Sequence, residues 1–153
     1  MRSLLVTLLL LTLSSHAAEG GSESRFEDLL PYYFAAARSD NIEVLSEFAE
    51  AGFPLDVRNP KGYTALMIAT YHGNSEAANY LLAQGADACA EDNRGNTALM
   101  AAIFRGEFAL ARTLIQRDCD LQHRNKAGNS AAGFAQVFGR DKIARLLGSV
   151  DTN

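Results

Sequence analysis

The 153-residue chain is 48% hydrophobic and 21% charged, which excludes a disordered or fibrous polymer and fits one domain or one short repeat array. Its 18 Asp and Glu outnumber its 14 Lys and Arg, so neither the basic footprint of a general nucleic-acid binder nor charge-driven docking to an anionic membrane is expected. Two cysteines are too few for a disulfide-dense scaffold or a four-cysteine zinc site.

Met1-Arg2 supplies a short positive start, and Leu4 to Leu13 is an apolar run broken only by Thr7 and Thr12. A run of about ten residues is too short to span a ~30 Å hydrocarbon core as a helix. Ser14 to Ala18 then turns small and polar, and a cut after Ala17 leaves small residues, Ala17 and Ser15, at the two positions that processing reads. Residues 1–17 are therefore expected to be a signal peptide, which places the mature chain in the periplasm or outside the cell, where disulfides persist. With Arg2 removed, 13 basic side chains face 18 acidic ones, a net charge of -5. No later apolar run approaches ~20 residues, so no membrane insertion of the mature chain is expected. Ala18 to Ser24 is polar and glycine-containing, and a flexible segment is expected over residues 18–26.

From there the chain repeats itself. Gly62, Gly95 and Gly128 lie 33 residues apart, and so do Thr64, Thr97 and Ser130, Ala69, Ala102 and Ala135, Gly73, Gly106 and Gly139, and Leu81, Leu114 and Leu147. These columns predict four units, at 27–58, 59–91, 92–124 and 125–150. In units two to four a glycine turn precedes a hydroxyl residue suited to capping a helix. A first helix of small and apolar residues follows, and the mid-unit glycine ends it in a left-handed cap. The first unit has Asp40 and Asn41 there, which tolerate that conformation better than most residues. A second helix is predicted over Ser75 to Gln84, Phe108 to Arg117 and Lys142 to Leu147, closed by a pattern such as Gly85-Ala86-Asp87. No such unit can bury its own apolar face, so neighbours must stack and share a core.

A 33-residue unit with Gly-x-Thr-x-Leu, an alanine column, a mid-unit glycine and Gly-Ala-Asp resembles the ankyrin repeat, over about Leu30 to Leu147. The resemblance implies an all-α solenoid of about four helix-turn-helix units with short hairpin loops. It also implies a protein-binding module without catalysis. Two positions depart from the family pattern. Its Thr-Pro-Leu-His reads Thr-Ala-Leu-Met at Thr64 to Met67 and again at Thr97 to Met100, so apolar contact must replace the histidine's inter-repeat bond. Asp118 replaces the glycine that ends the second helix. The chain also resembles small secreted bacterial members of the family, which implies binding and protecting or modulating a periplasmic enzyme, such as a catalase or a cell-wall hydrolase. The alternative is an exported effector that binds a host protein.

Motifs of chemistry are missing. His72 and His123 occupy different columns and no His-Glu-x-x-His is present; there is no Gly-x-Ser-x-Gly, and Gly95-Asn-Thr97 lacks the lysine of a phosphate loop. No catalytic residue, metal or cofactor is expected. Cys119 falls in the column of Ala86, and Cys89 follows Ala86 by three residues, which puts the thiols in neighbouring units. Packed helices lie ~8–10 Å apart and a disulfide needs Cα atoms within about 7 Å, so a disulfide and two free thiols are both open.

By the resemblance, a partner meets the hairpin tips and the exposed side of the first helices. The columns place Arg58, Lys61, Tyr63, Arg94 and Asn96 on the hairpins. They place Tyr71, His72, Phe104, Arg105 and Phe138 on the helices, with Arg38 in the same helix-one set. Tyr and Arg are common interface anchors, because they combine large area with directed polar contacts. This face is locally basic in an acidic chain, so the expected partner is a protein with an acidic contact face, not nucleic acid. The protein itself is expected to be a monomer.

Overall fold

The computed structural model describes residues 22–150. The signal peptide expected at 1–17, and residues 18–21 of the flexible segment, lie outside the described residues. Eight helices run in chain order: α1 (Ser22–Arg38), α2 (Ile42–Glu50), α3 (Ala65–His72), α4 (Ser75–Ala83), α5 (Ala98–Arg105), α6 (Phe108–Ile115), α7 (Ala131–Val137) and α8 (Asp141–Val150). The described residues contain no strand; two isolated antiparallel bridges, Glu91 to Thr97 and Arg124 to Ser130, mark hairpin bases. At the N-terminus α1 opens at Ser22, and Phe26 stacks on Phe53 with ring centroids 4.9 Å apart.

The periodic residues do the local work their chemistry suits. Thr64 Oγ1 accepts from the Met67 N–H at 3.3 Å, Thr97 Oγ1 from Met100 at 3.4 Å, and Ser130 Oγ from Gly133 at 3.2 Å, so each satisfies an otherwise unpaired N–H at a helix start. At the other end of each first helix, the alanine column supplies the acceptors. The carbonyls of Ala36, Ala69, Ala102 and Ala135 receive the N–H groups of Asn41, Asn74, Glu107 and Arg140 at 2.7–3.0 Å. Gly106 makes this closure at φ 77, where an L side chain is strained, and a Cβ there would come within 2.8 Å of the Arg140 guanidinium. Gly106→Val is accordingly expected to cost roughly 1–3 kcal/mol, read as a lowered denaturant midpoint. An unchanged midpoint would contradict the inferred strain. Asp40 takes the left-handed position in unit one at φ 56.

Two layers result. α1, α3, α5 and α7 pack side by side as inner helices, while α2, α4, α6 and α8 form the outer row. The alanines at 69, 102 and 135 are fully buried, and their small size lets the inner helices approach closely. Leu81, Leu114 and Leu147 fill the outer column, with Phe48 in that role in unit one.

Unit one carries its own aromatic cluster, in which the fully buried Tyr33 meets Phe48 at 5.1 Å and Phe53 at 4.9 Å. Its hydroxyl donates to the Leu55 carbonyl at 3.0 Å. Burial first, then the Asp56 carboxylate and Tyr80, push the Tyr33 phenol well above the ordinary tyrosine range. The folded chain thus keeps a proton that the unfolded chain releases near pH ~10. The resulting stability is complete below that pH and falls as pH rises above it, with a slope of up to about 1.4 kcal/mol per pH unit. Urea midpoints taken across the alkaline range should show this slope in the wild type and a shallower one in Tyr33→Phe; identical slopes would remove Tyr33 as the cause.

The last corner of unit three departs from the others. After α2 and α4, the N–H groups of Phe53 and Ala86 close onto the Phe48 and Leu81 carbonyls, each at 3.0 Å, through a glycine of positive φ such as Gly85 at φ 92. Asp118 does not adopt a positive φ, and the Cys119 N–H bonds the Arg117 carbonyl at 2.8 Å instead. At this corner Cys119 is joined to Cys89 by a disulfide, with Cα atoms 5.4 Å apart. The loop path brings the neighbouring units closer here than their helix axes, which resolves the two cysteine states left open by spacing alone.

Candidate functional site

The hairpins between units are built on one repeated device. Oδ1 of Asn59 accepts from the Lys61 and Tyr63 N–H groups, Oδ1 of Asp92 from Arg94 and Asn96, and Oδ1 of Asn125 from Ala127 and Asn129, all at 2.7–3.0 Å. Each turn is therefore rigid before anything binds. Successive turns are tied together: the Asn93 N–H donates to the Lys61 carbonyl at 3.1 Å and the Lys126 N–H to the Arg94 carbonyl at 2.9 Å. Asn125 Nδ2 adds a bond to Asn96 Oδ1 at 2.7 Å. His123 spans the same gap, with Nε2 2.7 Å from the Gly95 carbonyl and Nδ1 3.5 Å from a Glu91 carboxylate oxygen.

Hairpins and inner helices meet at an angle and enclose a groove of about 770 Å³. Its floor is apolar, built from Met67, Ile68, Met100 and Ala101. Both methionines, which stand where the family pattern has histidine, are buried. Above the floor runs a ladder of rings. Tyr71 and Phe104 stack with centroids 5.8 Å apart and planes 3° from parallel, and Phe138 meets Phe104 edge-on at 5.0 Å. All three remain well exposed, Tyr71 at 52% and the two phenylalanines at 38%. Phe138 supplies the last rung although Val137 is the residue 33 positions after Phe104. The reason is local: α7 stops at Val137 and Phe138 caps it at φ -94, so the ring turns back over Phe134 and Phe104.

Positive charge dominates the groove. Arg38, Lys61 and Arg94 line it, and the only carboxylate in its lining is Asp92, which is buried and engaged with its own turn. Among the described residues no acidic side chain forms an ion pair with any of the three cations; the pair seen is His123 with Glu91.

The sequence-predicted residues divide cleanly. Lys61, Tyr63, Tyr71 and His72 of unit two line the groove, joined by Arg94, Asn96 and Phe104 of unit three and Phe138 of unit four. Arg58 and Arg105 lie outside it. The Arg58 guanidinium is held by the Glu91 carbonyl at 2.8 Å, and Arg105 reaches back toward Gly73 and the end of α3. Phe134 belongs to the lining and was missed, because its column holds Ile68 and Ala101 in the units before it and no repeated ring marks it. Asp92, buried within its own turn, also belongs to the groove wall.

A second set of contacts was also missed. Asn74 and Arg140 stand 66 residues apart, with Glu107 midway between them. Asn74 Nδ2 donates to the Ala37 and Arg38 carbonyls at 2.9 and 2.7 Å. Arg140 Nε and Nη2 donate to the Ile103 and Phe104 carbonyls at 3.1 and 2.9 Å. Donors thus satisfy the open carbonyls at the end of one inner helix from the next unit, and for Arg140 the positive charge also suits a helix C-terminus. The Arg140 bonds hold the backbone that carries Phe104.

Among the described residues, no group of three or more His, Cys, Asp or Glu is arranged to hold a metal ion, and no helix is long and apolar enough to cross a membrane. Compared with protein families, residues 5–92 and 32–125 match a family model described as ankyrin repeats in three copies.

Proposed function

The chain belongs to the ankyrin-repeat family, a family of protein-binding modules, and from that premise we propose that it is an exported, non-catalytic binding protein whose groove grips the acidic face of a partner protein. The observation that carries this reading is the exposed Tyr71, Phe104 and Phe138 ladder beside three cations that have no acidic partner among the described residues. Exposed rings that touch one another present wide apolar area with little entropy left to lose, the property of a binding hot spot. Complementary charge would steer an acidic partner toward them. Export to the periplasm or beyond is supported by the leader-like residues 1–17 and by a disulfide, which such compartments sustain. Binding there would protect or modulate the partner, for which a periplasmic enzyme is the natural class.

Affinity capture from a periplasmic extract tests the reading. The full mature chain should retain a discrete protein, and a Tyr71→Ala/Phe104→Ala chain should lose it. Equal retention by the two baits would remove the groove as the contact face.

A further inference from the structure

We infer that the groove is shaped for one kind of occupant: an extended acidic segment in the polyproline II conformation, with a carboxylate at every third residue. The inference rests on the groove being the contact face and specifies what lies in it.

Three observations converge. First, Lys61 and Arg94 occupy the same column of successive hairpins, one repeat apart, and the backbone bond from the Asn93 N–H to the Lys61 carbonyl fixes one turn against the next. Neighbouring inner helices pack at ~8–10 Å, which sets the step between the backbone positions that carry these two cations. A polyproline II segment makes one turn in three residues at 3.1 Å each, about 9 Å, so side chains at i and i+3 fall on the same side at the same step. A β-strand would put i and i+3 on opposite faces, and an α-helix would advance only about 5 Å in that interval. Second, the wall facing these cations is aromatic. Tyr71, Phe104 and Phe138 present ring edges and faces along the groove, and Tyr63 stands at the hairpin side. Grooves lined by aromatic rings are the usual docking surface for polyproline II segments, whose ordering cost is low. Third, Arg38 stands 33 residues before Tyr71, at the place of the next rung, so the ladder ends in a cation. A third carboxylate or a chain terminus would meet it there. The mature chain's net charge of -5 disfavours a long, uniformly charged polyanion such as nucleic acid, whereas a short segment with a few carboxylates meets only the local cations of the groove.

Synthetic peptides test this directly on the full mature chain with its disulfide formed. Three probes suffice: Pro-Pro-Glu repeated three times, Pro-Glu repeated four times, and Pro-Pro-Lys repeated three times. The first should bind at least tenfold more tightly than either of the others. Its affinity should fall at least tenfold in Lys61→Glu/Arg94→Glu and be unchanged in Arg112→Glu, a cation on the exposed side of α6. Thermal unfolding of each variant shows whether the stack is intact, and Lys61→Gln/Arg94→Gln serves as a milder variant, with a smaller loss expected. Equal binding of the two glutamate peptides overturns the three-residue spacing. Preference for the lysine peptide, or tighter binding of a single-stranded oligonucleotide, overturns the acidic polypeptide. If no peptide binds while the captured protein is still lost from the Tyr71→Ala/Phe104→Ala bait, the groove remains the contact face and the extended segment is wrong.

Discussion

Replacing Cys89 and Cys119 together by alanine is expected to lower the unfolding free energy by about 3–4 kcal/mol, the loop-closure value for a link across some 30 residues. The location of the bond makes that full value more credible than for a disulfide placed at random. The corner after α6 has no glycine, and the Cys119 N–H bonds only two residues back, to Arg117. The bond therefore stands where the backbone closure seen at Gly85 is missing. Losing it should open units two and three locally before the whole stack unfolds, since repeat arrays are held by nearest-neighbour interfaces. Urea midpoints with and without a dithiol reductant measure the global cost. Faster amide exchange around Cys119 than around Ala86 would register the local one. Adding Asp118→Gly to the alanine pair should recover part of the loss, because glycine permits the left-handed closure used at the other corners. A midpoint indifferent to both reduction and substitution would mean that the corner is held by packing alone. The consequence reaches the groove, because the segments leaving Cys89 and Cys119 lead into the hairpins of Arg94 and Arg124.

The fold was legible because its repeated residues have local duties. Thr64, Thr97 and Ser130 cap helices, and Gly73 and Gly106 close them, wherever the chain runs. Spacing alone located each of them. The alanine column was equally plain, since only a small residue fits between closely packed helices. Residues that act across units were harder to find. Asn74 and Arg140 share the task of reaching back to an earlier helix end while differing in type, and Glu107 between them has no donor, so no common chemistry marks the column. Arg58 matched the hairpin pattern, yet its guanidinium is committed to the Glu91 carbonyl, a bond that depends on how two turns stack. Phe138 replaces Val137 as a rung because α7 stops at Val137, one residue short of the ends of α3 and α5, although Gly139 keeps the 33-residue step. The disulfide needed the path of the Asp118 corner, which deviates from the family pattern at the one residue that would have predicted it.

Phe104 is the middle rung of the ladder, and Tyr71→Ala/Phe104→Ala is expected to weaken partner binding by ~2 kcal/mol or more, the threshold of an interface hot spot. The fold should survive. Phe104 is 38% exposed and Tyr71 52%, so truncation leaves no sealed cavity of the kind that makes a buried Phe→Ala change cost about 3–5 kcal/mol. What is lost within the molecule is ring against ring, Tyr71 on Phe104 at 5.8 Å and Phe104 on Phe138 at 5.0 Å. Such pairs contribute roughly 0.5–1.5 kcal/mol each, so for the two a stability loss of about 1–3 kcal/mol is expected beside the loss of affinity. The Arg140 bonds to the Ile103 and Phe104 carbonyls involve only backbone on that side, so they persist and keep α5 in place. Both quantities must be read on one protein: thermal unfolding, and affinity for the protein that capture recovers. Phe104→Leu separates ring from bulk. It keeps much of the apolar area, so a partner that needs only area should bind it nearly as well as wild type, whereas one that stacks on the ring should not. Unchanged affinity in the double variant would remove the groove as the contact face. A stability loss above about 3 kcal/mol would show instead that the rings serve the core, leaving the groove without its anchor.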